Sequence, residues 1–384
     1  GADFNWQELF PWLAGSDFCR TNLPGLDSVD GSVQLGSMTF EGPPGALAQC
    51  SYRAHGRIQD LVLHQKGLPG PVHLDSGSFD LQQGKVQLDR CRFRFLDAQG
   101  RLDGWVATRA DPKPSFDLSF EGNLGSRAGE WVMNRAELPQ AFKLQTPMNI
   151  QGSRIVRSAD SLELRLKALV NSDVHLDLDL VHTAGSLHIP TLALQDQDSK
   201  ASLAVTASED RCDVSFAGTL AKSTLDRLLQ DNRHLQGTVQ GDFTTTFNPQ
   251  TFQISAASGP ARITQLLPVP EFQHFKIIDL KIMADGGKLA VEKGQLKLGE
   301  DHVSLVGTVF LKETATFLDL SLSSKQLHWE ELDKALSRLK TLLGSPSRQP
   351  GSHPALSAAL QARIDCLAFH GLSWCPLQAE VHVS

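Results

Sequence analysis

Few residues of this chain have the types and spacing of a catalytic or metal site. Gly84-Lys85 lacks the hydroxyl residue that follows the lysine in a phosphate-binding loop, and no dinucleotide, zinc-protease or serine-hydrolase motif occurs. His175, Asp177 and Asp179 alternate along one stretch and could bind a metal, but a solvated strand face explains them equally well. We therefore expect a protein that is not an enzyme and that needs no metal or cofactor.

A basic stripe is the second candidate site. Arg90, Arg92 and Arg94 alternate with apolar residues and could contact anionic head groups, although such a stripe is more often the wet face of a strand. The formal net charge of the whole chain is -7. Nucleic-acid binders need a concentrated basic surface, so we expect no nucleic-acid partner.

The six cysteines include no C-x-x-C pair. Most of them alternate with apolar residues, which predicts small buried side chains. Cys366 and Cys375 flank a predicted turn near His370-Gly371, and a cross-strand disulfide between them is the alternative.

Period-two alternation dominates the pattern along the chain. Leu162, Leu164 and Leu166 alternate with charged residues, and each such run ends at Gly, Asn, Asp or Ser. One apolar and one polar face per strand is typical of antiparallel sheets. The sequence predicts a mainly β chain: a long, curved, mostly antiparallel sheet of repeating units with a few short helices.

The chain also repeats itself. The segment 119–124 (SFEGNL) reappears at 215–220 (SFAGTL), and each copy leads into a short helical pattern, the second with Ser223 and Asp226 spaced like a capping box. A looser third copy at Ser304-Leu305 leads to an amphipathic helix predicted from Trp329 to Leu343. Units that cannot bury their own apolar face must stack, as in solenoids.

These patterns divide the chain into five segments. Residues 1–30 are expected to be a helical or irregular lead-in, and 31–158 the first β-groove unit or units. Residues 159–343 form a second groove region that ends in the amphipathic helix. A flexible Pro/Ser/Gly loop at 344–358 and a terminal strand pair at 359–384 follow. Both ends fall within patterned sequence, so we expect a piece of a longer protein.

An apolar sheet face must be hidden against a second sheet, helices or lipid, and the predicted helices are too few to cover it. A curved sheet with an open apolar face would hold acyl chains. The residues expected to line such a groove are Phe93, Phe95, Phe116, Leu118, Phe120, Leu164, Leu176, Leu178, Leu203, Val205, Val214, Phe216, Leu305, Leu318 and Leu320. For any one of them, ordinary core is the equal alternative.

Several stretches resemble the AsmA-like proteins. The resemblance is clearest over 160–343 and extends more thinly over 30–135. Its motifs are diffuse, but their order and spacing agree with the family. The matching motifs are Leu225-Asp226-Arg227-Leu228-Leu229, the glycine-containing stretch 235–243, the predicted strands 278–282, 289–296 and 302–309, and Trp329-Glu330-Glu331-Leu332.

The resemblance implies a place and a function. AsmA-like proteins belong to the Gram-negative cell envelope, where an N-terminal helix anchors them in the inner membrane and the remainder extends into the periplasm. They are grouped with bridge-like lipid transporters of repeating β-groove units that carry phospholipid towards the outer membrane. The expected partners are phospholipid acyl chains, the inner membrane through an anchor absent from this chain, and outer-membrane components.

Two other functions fit the same residues. An assembly factor for outer-membrane proteins would bind client strands at its sheet edges by β-augmentation. A structural β-solenoid would instead close its apolar face into a dry core.

Overall fold

The chain folds as two compact units. The computed structural model describes residues 2–5, 26–42, 51–82, 84–107, 115–135, 140, 143–250, 254–267, 275–311, 315–334, 355–369 and 372–383. The first unit extends from Gly1 to Ala184 and the second from Gly185 to Ser384.

The first unit is an antiparallel meander in which each strand pairs with the next one along the chain. Its elements are β1 (Ala2–Asn5), β2 (Leu26–Glu41), β3 (Ser51–Gln65), β4 (Val72–Gln82), β5 (Lys85–Phe95), β6 (Ala98–Ala107), β7 (Phe116–Leu124), α1 (Ser126–Arg135), β8 (Met148–Arg157), β9 (Ser161–Val170) and β10 (Val174–Thr183). Among the residues described, β1 pairs with β2 and β10 pairs with β9, and no register joins β1 to β10, so this sheet is not closed.

The second unit begins with the same kind of meander. Its elements are β11 (Ser186–Gln195), β12 (Lys200–Ala207), β13 (Cys212–Ala221), α2 (Lys222–Leu228), β14 (Thr238–Phe247), β15 (Ile254–Leu266), β16 (Phe275–Asp285), β17 (Lys288–Leu298), β18 (Asp301–Leu311), β19 (Ala315–His328), a helix whose described part is 329–334, β20 (Ala355–Phe369), β21 (Leu372–Trp374) and β22 (Leu377–Val383). Strand β20 lies parallel to β19, while β21 and β22 fold back antiparallel onto β20.

The predicted architecture is confirmed. The chain is mainly β, with a long, mostly antiparallel and unclosed sheet and a few short helices. The alternation that predicted it is visible in β10, where the cross-strand partners of Val174, Leu176 and Leu178 are Val170, Ala168 and Leu166. A one-residue slip would turn every one of these side chains to water, so the apolar pattern itself fixes the register.

Three segment predictions need correction. The lead-in predicted as helical or irregular over 1–30 contains strand β1, which pairs with β2, and β2 itself begins at Leu26. The loop predicted over 344–358 ends earlier, because strand β20 begins at Ala355; residues 344–354 lie outside the described part. The terminal pair predicted over 359–384 is a group of three strands. In each case backbone pairing with a neighbouring strand overrides the local pattern.

The repeat predicted from sequence corresponds to a unit of six strands with one helix after the third. It occurs as β5–β10, β11–β16 and β17–β22. The matching segments 119–124 and 215–220 lie in β7 and β13, immediately before α1 and α2. The third copy, Ser304-Leu305, lies in β18, and the helix that begins at Trp329 follows β19.

An aspartate holds each helix start to the turn between the first two strands of its repeat. Asp97 accepts hydrogen bonds from the backbone N–H groups of Arg127 and Ala128 at 2.9 and 2.8 Å. Asp301 accepts the backbone N–H of His328 at 2.6 Å, one residue before the third helix. Carboxylates satisfy the unpaired N–H groups of a helix start and favour its positive dipole end.

The middle repeat does this with a buried cluster. The Asp196 carboxylate, which has no exposed side-chain surface, accepts hydrogen bonds from Thr224 Oγ1 at 3.0 Å and Arg227 at 2.5 Å. Burial raises the pKa of Asp196, but hydrogen bonds from Thr224, Arg227 and the turn outweigh burial and lower it. The capping box predicted at Ser223 is wrong, because α2 begins after Ala221 without a side-chain cap and Ser223 Oγ donates to Asp198.

We predict that Asp196→Ala destabilises the protein by about 2–4 kcal/mol, because the Thr224 hydroxyl and the backbone N–H of Ser199 lose their acceptor and Arg227 loses its buried counterion. Urea unfolding followed by circular dichroism measures this change. Asp210→Ala, in the exposed turn between β12 and β13, is the matched control and should cost less than about 0.5 kcal/mol. Equal effects of the two variants would show that the aspartate does not hold the helix.

Candidate functional site

The cross-strand register places apolar side chains of successive strands on one face of the first unit. Phe93 lies opposite Leu74 on one side and Gly100 on the other. Leu118 lies opposite Gly104 and Ile155. Directly opposite residues of an antiparallel pair point to the same face. All the groove residues predicted in this unit therefore share one face.

The second unit has the same arrangement. Phe216 lies opposite Leu203 and Phe243, and Val214 lies opposite Val205. Further along the chain, Leu305 lies opposite Leu322, with Leu318 and Leu320 on the same face of β19. The register thus brings the groove residues predicted in this unit to one face of its sheet.

These side chains are part-buried rather than buried. We define the first strip as Phe93, Leu102, Phe116, Leu118, Phe120, Ile155, Leu164, Leu166, Leu178 and Leu180, all part-buried. We define the second strip as Leu192, Leu203, Val205, Val214, Phe216, Phe243, Leu280, Leu305, Leu318, Leu320 and Leu322, also part-buried. A second sheet packed on either face would bury such mid-strand residues, as in a sandwich core.

The helix end of the strands is packed. In the first unit Val170 and Val174 are fully buried, close to the end where α1 follows β7. Two predicted groove residues belong to this packed end. Leu176 is buried, and the Phe95 ring meets the Trp131 ring of α1 at 5.2 Å between centroids. Leu176 is therefore core and Phe95 packs against α1, whereas the other predicted residues lie along the open strips.

Glycines shape the floor of the first strip. The rings of Phe93 and Phe120 meet at 5.2 Å across strand β6, where Gly100 lies between them. A Cβ atom on Gly100 would lie 2.6 Å from the Phe120 ring. In the repeated segments, Gly122 and Gly218 have φ angles of +151° and +110°, and a Cβ on either would lie within 2.3 Å of a carbonyl oxygen of the neighbouring strand.

The opposite face is polar, and its charges are paired. Arg94 contacts Asp75 at 2.6 Å, and this hydrogen-bonded guanidinium lowers the pKa of Asp75. The predicted stripe of Arg90, Arg92 and Arg94 borders an open depression of about 510 Å³ on this part of the sheet. Arg90 also contacts an aspartate, Asp89, at 3.1 Å, so carboxylates already engage two of the three arginines.

The predicted metal candidates lie on the same polar face. Asp177 and Asp179 face Lys167 and Arg165 at 3.5 and 3.6 Å. Across the described ranges, no group of three His, Cys, Asp or Glu side chains has the geometry of a metal site. The structure therefore places these carboxylates opposite cations of the neighbouring strand, as is usual for a solvated face.

The cysteines divide into two kinds. Cys366 and Cys375 form a disulfide between β20 and the turn before β22, with Cα atoms 4.4 Å apart, which confirms the predicted pair. Cys91 and Cys212 are buried thiols, and burial raises the pKa of Cys91 to about 11. A thiol that stays protonated in an apolar site is chemically inert. Cys19 and Cys50 lie outside the described residues.

Comparison with known proteins gives no match: no family model, no curated protein and no solved structure is similar to this chain. Among the helices in the described ranges, none is long and apolar enough to cross a bilayer.

Several strip residues were not predicted from sequence. Ile155 lies opposite Leu118 and Leu164, but a register shift between Ile150 and Gly152 interrupts the alternation of β8. The others that were missed are Leu102, Leu166, Leu180, Leu192, Phe243, Leu280 and Leu322. Most of them lie in the same alternating runs as the predicted residues, and that alternation could have identified them.

On the polar face of the second unit, Asp279 is the most strongly held carboxylate. Arg262 donates two hydrogen bonds to it at 3.0 Å, and Lys293 donates one at 2.7 Å. Hydrogen bonds from these two cations lower the pKa of Asp279 from 3.8 to about 2. A carboxyl group whose pKa is lower in the folded state than in the unfolded state stabilises the fold at pH values above its unfolded-state pKa. This contribution is lost as the pH falls towards its folded-state pKa.

We predict that Asp279→Asn lowers the free energy of unfolding by roughly 1–2 kcal/mol at pH 7, a value discounted because both cations are half-exposed. The difference from the wild type should shrink as the pH falls from 5 to 2. Urea unfolding at several pH values measures it, with Asp242→Asn on β14 as an exposed control. A pH-independent difference would contradict the assigned ion pairs.

Proposed function

We propose that the two strips hold phospholipid acyl chains and let them slide from strand to strand. The observation that carries this proposal is the row of part-buried apolar side chains on one face of each open sheet. Transfer of acyl chains from water to such a surface is favourable by about 0.8 kcal/mol per buried CH₂ group. No step of this function makes or breaks a covalent bond.

The chemistry of the strips favours an acyl chain over a peptide as the occupant. The residues of both strips are Leu, Val, Ile and Phe, whose side chains offer no hydrogen-bond partner. A peptide on such a surface would bury backbone N–H and C=O groups without partners, at a cost of roughly 1–3 kcal/mol each. An acyl chain has no such groups, so its burial carries no polar penalty.

Sliding follows from repetition. Neighbouring strands lie about 4.8 Å apart, and each presents a similar pair or triplet of branched or aromatic side chains. A chain that moves by one strand therefore exchanges one set of contacts for an equivalent one.

We further propose that this chain is a periplasmic segment of an AsmA-like envelope protein, which conducts phospholipid between inner and outer membrane. Two observations support this placement. The repeat of six strands and a helix agrees with repeating β-groove units. The Cys366–Cys375 disulfide, whose Cys375 side chain is exposed, suits an oxidising compartment such as the periplasm. The inner membrane, through the family's anchor, and outer-membrane components would be the partners.

The first test is native mass spectrometry of the purified chain, followed by extraction and identification of any bound lipid. We expect more than one phospholipid per chain, because each unit has its own strip. An apoprotein that also rejects added fluorescent phospholipid would contradict the proposal. Binding of unfolded β-barrel precursors without lipid would instead favour the assembly factor, and neither ligand would favour a structural β-solenoid.

Substitutions in β10 separate an open strip from a closed core. We expect Leu178→Asp to fold with wild-type circular dichroism and to lose at least half of the lipid bound to the first unit, because an aspartate interrupts the apolar path. Val181→Asp is the matched control: it lies on the same strand, is also part-buried, and faces the polar side opposite Glu163. It should keep its lipid.

A third variant calibrates the first two. Val174 in the same strand is fully buried, so Val174→Asp should unfold the unit by burying an unpaired charge. If Leu178→Asp unfolds the unit as Val174→Asp does, the strip is a dry core and the lipid proposal fails.

A further inference from the structure

One corner of the first strip carries basic residues where the pattern calls for apolar ones. At the end of the strands away from α1, Phe116 lies opposite Arg157, Arg157 opposite Leu162, and Leu162 opposite His182. We name Arg157 and His182, with Phe116 and Leu162, the basic rim. All four belong to the first unit.

Register shows that the basic rim belongs to the apolar face. Arg157 follows Ile155 at a spacing of two residues, and His182 follows Leu180 at the same spacing, so each continues the strip of its own strand. Val156, between Ile155 and Arg157, lies opposite Glu163 on the polar face. Among the apolar-face positions of β5–β10, Arg157 is the sole lysine or arginine.

Arg157 differs in its partners from three of the arginines on the polar face. Arg94, Arg154 and Arg165 each contact an aspartate within 4 Å. No carboxylate pairs with Arg157 anywhere in the part of the chain that the structure describes, and its side chain is exposed. A cation left without an internal counterion beside apolar surface has the environment of a site for an external anion.

We propose that Arg157 binds the phosphate group of a phospholipid whose acyl chains lie on the first strip, with His182 as a second hydrogen-bond donor. This inference rests on the proposed lipid-holding function and adds to it the position and orientation of the head group. The planar guanidinium matches the geometry of two phosphate oxygens. Arg157 and His182 are two strands apart, roughly 10 Å between Cα atoms, which long side chains can span to one head group.

The surrounding side chains fit this orientation. Leu162 at the rim is 36% exposed, and Leu118, Ile155 and Leu164 lie next to the rim on the way towards α1. A phospholipid bound here keeps its phosphate at the solvent-exposed edge of the sheet and its acyl chains on the part-buried apolar surface. In this orientation the phosphate stays hydrated, and the acyl chains exchange water for apolar contacts.

The test compares two lipids with identical acyl chains, phosphatidylglycerol and diacylglycerol, on the purified full chain. We expect Arg157→Gln to weaken phosphatidylglycerol binding by about 5- to 20-fold and to leave diacylglycerol binding unchanged. Arg157→Lys, which keeps the charge and loses the planar fork, should fall between the wild type and Arg157→Gln. Arg57→Gln, an exposed arginine on the polar face of β3, is the matched control and should change neither affinity.

The outcomes separate this inference from the proposed function. If the wild type binds neither lipid, the lipid function fails and the head-group site fails with it. If the wild type binds both lipids and Arg157→Gln alters neither affinity, lipid binding on the first strip is supported and the head-group site is overturned. The third measurement is a titration with inorganic phosphate. If phosphate binds tightly and needs Arg157, while the wild type and the variant bind lipid equally well, the site is assigned to a free anion instead.

Discussion

Everything in this structure depends on the cross-strand register that keeps apolar side chains on one face. A slip of one residue between Leu178 and Leu166 would expose the whole apolar set of β10, so the register is strongly fixed where the pattern is strict. Where the pairing is irregular, a bulge such as the one in β8 opposite Phe120 and Gly122 absorbs the extra residue without reversing the face. The sheet therefore stays one-sided along each unit, although individual strands are irregular.

The three aspartates at the repeat turns determine which end of that face is closed. Asp97 binds backbone N–H groups in the first turn of α1, Asp196 binds the side chains of Thr224 and Arg227 in α2, and Asp301 binds the N–H of His328 just before the third helix. The helices therefore return to the same end of the strands. Packing at this end buries Val170 and Leu327. Along the remaining length of the strands, the described apolar side chains are only part-buried, so the same apolar pattern gives a core at one end and a strip along the rest.

The sequence predicted what is local and periodic, and missed what depends on partners far along the chain. Alternation alone identified Leu164 and Leu178 correctly as members of one face. It could not separate the buried Leu176 from its part-buried neighbours, because alternation shows which face a residue lies on and not how deeply that residue is buried. The capping box predicted for α2 was wrong for a similar reason: the local pattern pointed to Ser223 and Asp226, whereas the carboxylate that binds Thr224 and Arg227 of this helix comes from Asp196. The parallel direction of β20 has no local signal at all.

A conduit and a binding site make opposite demands on the same surface. Sliding requires that every position be alike, whereas recognition requires that one position differ. The second strip meets the first demand, since the apolar-face positions of β11–β19 include no lysine or arginine. The first strip departs from it at a single exposed corner, Arg157. Because that charge lies at the rim rather than in the path, the proposed head-group site would retain a phosphate while the acyl chains beyond it rest on equivalent side chains. The selection proposed for the first unit and the unselective holding proposed for the second are therefore compatible with the same repeat of strands.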